Sequence, residues 1–382
     1  MIRNKKLELY IHIPFCVRKC LYCDFLSNVA NAEEIEEYVE ALEKEIHAWA
    51  ETNYRVSTIF FGGGTPSVLS GDQVGRIMGA IREVFDIEED AEISMEANPG
   101  TVTSQKLKAY KAAGINRISF GLQSANNEEL KTLGRIHTYE EFVESYRLAR
   151  TCGFENINVD LMSAIPNQTW ERFEVSLNQV LELNPEHISV YSLIVEEGTP
   201  FAKFYGEGMS LENQLPTEEE ERNIYYKTKE CLEKAGYQRY EISNYAKEGK
   251  ECRHNLGYWE RTDYLGLGLG SSSLMNNVRF KNTDDMVQYL KDANKKEQIR
   301  EDVQPLSVNE QMEEFFFLGL RKMEGICTKE FENTFGISVE AFCGKQLEKL
   351  ETEGLLINQK GNIRLTEKGI DISNYVFAEL LS

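Results

Sequence analysis

Three thiols give this chain its clearest chemical signal. Cys16, Cys20 and Cys23 lie in HIPFCVRKCLYCDF, directly after a β-rich run. Thiolates favour zinc or iron–sulfur centres. A structural zinc site takes four ligands, usually from two Cys pairs, and no second pair stands near this trio. Three thiolates on a four-iron cluster would leave one iron open to a ligand from outside the protein. A zinc knuckle is the competing reading of the same residues. The other cysteines (Cys152, Cys231, Cys252, Cys327 and Cys343) are scattered and read as ordinary buried or free thiols.

A second signal is FFGGGTPS, with Gly63, Gly64 and Thr65 at the end of a predicted strand. Glycines let a backbone approach a ligand and present its N–H and C=O groups. No Gly-Lys-Ser/Thr follows, which excludes a phosphate-binding P-loop. Polar groups then recur at similar places: Glu96 in MEANP, Gln123 in FGLQS, Arg135 in LGRIH and Asp160 in NVDLM. One such residue alone would read as a structural hydrogen-bonding group. Several at successive strand ends converge on one mouth, where barrel folds place their sites.

These residues need a scaffold that brings strand ends together. The first half of the chain repeats a β-rich run, a loop and an amphipathic helix. Strands are predicted at 8–13, 57–61, 92–96, 117–121, 156–161 and 187–193, and helices at 33–49, 72–85, 104–113, 139–152 and 170–183. Gly114 and Gly153 close helices as left-handed caps. Alternating strands and helices imply a parallel sheet with right-handed crossovers, either an incomplete (β/α)6 barrel or an open doubly wound sheet. Beyond Leu193 the rhythm changes. Pro216 and Thr217 open a long helix, with Thr217 and Glu220 spaced as a capping box. A Gly-rich stretch follows from Gly266. From 306 the pattern is a helix at 309–322, a helix at 339–353, a hairpin in GLLINQKGNIRLT and a last helix at 369–381, as in a winged-helix-like α+β module. The expected divisions are 1–215, 216–305 and 306–382.

Lys and Arg total 42 against 63 Asp and Glu, a net charge of −21. That field repels phosphate backbones and anionic lipid, so a nucleic-acid partner is not expected. No apolar run reaches the length of a membrane span. Glu8 and His12 interrupt any signal-peptide core. A cytoplasmic address is expected.

The Cys-x3-Cys-x2-Cys spacing after a strand, with Tyr22 before the last Cys, resembles the signature of the radical S-adenosylmethionine (SAM) superfamily. The resemblance implies a [4Fe-4S] cluster on Cys16, Cys20 and Cys23, with SAM chelating the open iron, an external electron donor, and a partial barrel as the fold. The GGGTP run is similar to the superfamily motif that holds the SAM amino group. A narrower resemblance covers nearly the whole chain. Tyr10 six residues before Cys16, GGGTPS, EANPG, RISFGLQS, LGRIH and the C-terminal module resemble the oxygen-independent coproporphyrinogen III oxidase family. By that resemblance Tyr10, Gly63, Glu96 and the backbone near Ile194 contact cluster-bound SAM. Gly64, Thr65, Gln123, Arg135 and Asp160 match positions that contact SAM or a second SAM.

Two departures separate this chain from the oxidase. Phe25 stands where the oxidase carries a further Cys, and Cys16 lies almost at the start of the chain. Both match the haem-chaperone branch of the family. A further marker of that branch is RHNLGYW, with His254, Asn255, Tyr258 and Trp259. A neutral imidazole is a good axial ligand to haem iron, and flanking aromatics pack on a porphyrin face. The expectation is a haem chaperone that passes haem to an acceptor, respiratory or otherwise. The rivals are the oxidase itself and a zinc-stabilised interaction module.

Overall fold

The computed structural model describes residues 5–50 and 54–381; the basic opening residues 1–4 lie outside them. Strands β1 (Lys5–Ile13), β2 (Tyr54–Gly63), β3 (Asp86–Ala97), β4 (Arg117–Gln123), β5 (Ile157–Ser163) and β6 (His187–Ser192) pair in parallel and in sequence order. Helices α1 (Ala32–His47), α2 (Gly71–Val84), α3 (Ser104–Ala113), α4 (Asn127–Thr132), α5 (Tyr139–Thr151) and α6 (Trp170–Leu183) form the crossovers. The short α4 is absent from the sequence reading; its six residues are too few to show a period. Local chemistry fixes the helix starts. Asn31, Ser70 and Thr138 each close a capping box with Glu34, Gln73 and Glu141.

The six-stranded barrel is incomplete. The far edge of β6 pairs with β8 (Asn244–Ala246), and the far edge of β1 pairs with β9 (Tyr264–Leu267), so one sheet of 12 strands runs through the molecule. Residues 216–305 therefore feed both sheet edges. β7 (Gln238–Arg239) and β8 extend one side; β9, β10 (Ser272–Met275), β11 (Val278–Asn282) and β12 (Arg300–Pro305) extend the other. The Gly-rich stretch is part of β9, a turn and β10. The long helix after Pro216 spans Glu218–Lys234, with the Thr217–Glu220 capping box formed.

The C-terminal module has its own three-stranded sheet and its own core, with Phe316, Phe331, Leu347 and Ile363 buried in it. Its hairpin pairs Leu356–Gln359 with Asn362–Leu365. The single last helix expected over 369–381 is instead two, Glu367–Asp371 and Ser373–Leu380, because Ile372 leaves the helical region at φ −118° and ψ 38°. No helix among the described residues is long and apolar enough to cross a membrane.

Candidate functional site

The C-terminal ends of the barrel strands open onto a cavity of about 400 Å³. Its wall contains Cys16, Cys20 and Cys23 from the loop after β1, and Gly63, Gly64 and Thr65 from the end of β2. Glu96, Gln123 and Asp160 reach it from β3, β4 and β5, Arg135 from the segment after α4, and Ile194 from just beyond β6. Tyr22 completes the set. Positions from Cys16 to Ile194 are brought together because the parallel strands and the loops that follow them open onto one end of the barrel.

The thiols stand in a polar setting prepared for negative sulfur. The Thr65 hydroxyl donates to Cys16 Sγ at 3.4 Å, and Arg135 Nη1 donates to Cys20 Sγ at 3.4 Å. Arg135 is itself fixed by Nη2 bonds of 2.6 Å to Asn98 Oδ1 and to the Gly121 carbonyl. The three thiols line the same cavity, and three thiolates on a four-iron cluster would leave one iron open to an outside ligand.

The carboxylates share that cavity. The Gly63 N–H donates to Glu96 Oε2 at 3.2 Å, while burial and the nearby Asp160 push the Glu96 carboxyl up from 4.5 to about 8. A ligand ammonium beside Glu96 would restore its anion. Asp160, raised by burial, accepts from Asn158 Nδ2 at 2.7 Å and from the Ser119 hydroxyl at 3.2 Å. The Tyr191 hydroxyl donates to Gln123 Oε1 at 2.9 Å. Gly63 has φ +108°, and a Cβ there would lie 2.5 Å from the His12 ring, so only glycine lets β2 end against β1 at this point.

Tyr10 lies behind that wall. It does not line the cavity; its hydroxyl meets His12 Nδ1 at 3.0 Å and its ring stacks on Phe60. The His12 Nε2 bonds the Leu26 carbonyl at 2.9 Å, so Tyr10 and His12 brace the cluster loop from behind. Asn98 and Tyr191 line the cavity without having been anticipated. Asn98 carried a signal, since it follows Glu96 by two residues in EANP.

The HNLGYW segment lies elsewhere. It forms a short helix, Arg253–Trp259, closing the N-terminal ends of the strands. Glu92 of β3 accepts from the Arg253 N–H at 3.1 Å, the His254 N–H at 3.4 Å and the Cys252 thiol at 3.5 Å. His254 is 1% exposed, its Nδ1 lies 2.7 Å from the Thr58 hydroxyl and its Nε2 3.1 Å from the Tyr258 hydroxyl. Iron ligation needs a free ring nitrogen, and His254 has none in this structure. In this structure His254 and Tyr258 are packed into the closing helix. Asn255 and Trp259 are half-buried on that helix, and Trp259 faces a cleft toward the C-terminal module shared with Phe315.

A partial barrel with strand-end polar groups and a loop carrying the thiol trio defines a radical SAM protein. The radical SAM superfamily model matches residues 10–180, and the HemN C-terminal domain model matches residues 306–372. The solved coproporphyrinogen III oxidase HemN of Escherichia coli superposes with a TM-score of 0.87 at 26% identity, covering 99% of this chain and 91% of that one. Heme chaperone HemW of Lactococcus lactis is 39% identical over 99% of this chain and 98% of its own length. Heme chaperone HemW of Bacillus subtilis is 39% identical over 97% and 98% respectively. The chain belongs to the Heme chaperone HemW family within the radical SAM superfamily. Superfamily membership implies an iron–sulfur cluster and SAM.

Proposed function

We propose that this chain is a haem chaperone in which Cys16, Cys20 and Cys23 hold a [4Fe-4S] cluster and the open iron takes SAM. The observation that carries the reading is one cavity uniting the three thiols with Glu96, Gln123, Arg135 and Asp160, in a chain similar along its full length to curated haem chaperones. SAM on a reduced cluster supplies one-electron cleavage chemistry. The chain's own residues do the positioning. Glu96 and the Gly63 backbone receive the SAM amino group, Thr65 and Arg135 donate to cluster sulfurs, and Gln123 and Asp160 present polar edges to the nucleoside. Gly64, Tyr22 and the backbone near Ile194 complete the wall, and Tyr10 acts through His12. The cargo is haem, the recipient a haem-accepting protein, and an electron donor serves the cluster. A reducing, cytoplasmic compartment suits eight cysteines that form no disulfide among the described residues.

The oxidase reading is favoured by the close superposition on HemN. Phe25 opposes it, because a large apolar ring stands where the oxidase has a thiol. One anaerobic, cluster-replete preparation separates the two. The chaperone reading expects stoichiometric haem uptake, transfer to an apo haem protein, and no porphyrinogen turnover with SAM and reductant. Turnover without haem uptake would overturn it.

A further inference from the structure

The mouth of the cluster cavity carries large apolar side chains that no part of the chain covers. Phe25 is 64% exposed and Ile194 67%, both in the cavity wall. Val17 is 56% exposed and Ile136 53%, both in a shallow depression beside it. The depression and the cavity share Arg18, Cys20, Asn98 and Arg135, so the four apolar residues flank one continuous opening. Isolated exposed apolar residues are ordinary; a group rimming a ligand cavity marks a binding surface.

Charge says what kind of ligand fits. The protein carries −21, yet Arg18 stands exposed in the middle of this rim, with no hydrogen-bond or ion-pair partner among the described residues. The depression around it contains no carboxylate, whereas the cavity lining also includes Asp24 and Glu196. A flat apolar body with anionic groups along one edge meets both features. Its faces would cover Phe25, Ile194, Val17 and Ile136, and its carboxylates would turn toward Arg18, away from Asp24 and Glu196. A tetrapyrrole with propionates on one edge has that shape. The closing helix offers no comparable place, because both His254 ring nitrogens are engaged.

We propose that haem docks on this apolar rim at the cavity mouth, with its propionates at Arg18, and not on His254. The inference rests on the haem-chaperone reading and locates its cargo. Phe25 is then the feature that converts an oxidase-like mouth into a landing surface.

The test is haemin titration of anaerobically reconstituted, full-length protein, followed by absorbance. Wild type is compared with Phe25→Glu, Ile136→Glu, Arg18→Glu and Trp259→Ala, each with its iron content and SAM binding measured. Burying one large apolar side chain is worth enough to shift affinity by about tenfold or more. The expected result is that Phe25→Glu and Ile136→Glu each weaken haemin binding by about tenfold, with iron content unchanged. Arg18→Glu should weaken haemin but leave the haemin dimethyl ester, which lacks the carboxylates, as in wild type. Trp259→Ala should bind haemin normally. Loss of binding in Trp259→Ala, with the rim variants unaffected, would overturn the rim and leave the chaperone reading intact. Failure of wild type itself to bind haemin would overturn both.

Discussion

The two ends of the barrel use the same residue types to opposite effect. At the C-terminal strand ends, carboxylates, an arginine, an amide and thiols line an open cavity. At the N-terminal ends, Glu8, Glu92, Arg117, Cys252 and His254 are equally rich in chemistry, yet all are buried. There Glu92 binds the start of the Arg253–Trp259 helix, and His254 spends both ring nitrogens on Thr58 and Tyr258. The difference teaches that a motif's residue types do not distinguish a site from a seal; what matters is whether their polar atoms are left facing space. The open end borders its groups on a cavity, and the closed end uses Glu92 and His254 to fasten a helix to the sheet.

Breaking the seal should cost most in stability. Glu92→Ala removes the acceptor for four donors, the Ser94 hydroxyl, the Cys252 thiol and the N–H groups of Arg253 and His254, and takes away one of the acidic groups beside the buried Arg117. A loss of about 3–5 kcal/mol is expected in chemical denaturation, with SAM affinity of the surviving folded protein near that of wild type. A large fall in SAM affinity at unchanged stability would invert the comparison. Gly257→Ala is the next largest. Its Cβ would lie 1.9 Å from Glu8 Oε1, so the buried Glu8 carboxyl must be displaced or helix and strand must separate. An overpacking cost of about 1–3 kcal/mol is expected from thermal or denaturant melts. No change would show that the helix is loosely held.

The open end should show itself in pH dependence. Burial and Asp160 raise the Glu96 carboxyl from 4.5 to about 8. Between those values the folded protein holds a proton that the unfolded chain has released. The stability this confers is therefore present at acid pH and is lost as pH rises through the window. Glu96→Gln should flatten that fall in ligand-free protein, by less than about 1.4 kcal/mol per pH unit. A profile identical to wild type would mean that Glu96 is ionised throughout.

Much of this was legible in the residues, for identifiable reasons. β1 to β6 each contain a buried apolar stretch and alternate with capped helices, so local pattern and tertiary structure agree. The cavity was legible because its polar groups sit at strand ends, where an apolar strand has no other use for them. β7 to β12 were not. They run only two to six residues, and β9 joins the sheet through pairs such as Glu8 with Tyr264, which no local period reveals. The burial of His254 was hidden for a related reason: its partner Thr58 lies 196 residues away in sequence, and burial set by such a contact cannot be seen in HNLGYW itself. Tyr10 lies on the strand expected of it, with the His12 ring between it and the loop.

The central claim is that the open end holds a cluster through three thiols and leaves one iron free for SAM. It is tested most directly by iron and sulfide analysis, with electron paramagnetic resonance of the reduced protein before and after SAM addition. Wild type should contain one [4Fe-4S] cluster per chain, with a spectrum that changes on SAM binding, and the combined Cys16→Ser, Cys20→Ser and Cys23→Ser variant should contain none. Wild-type protein free of iron under strict anaerobiosis, or a triple variant with its iron intact, would contradict it.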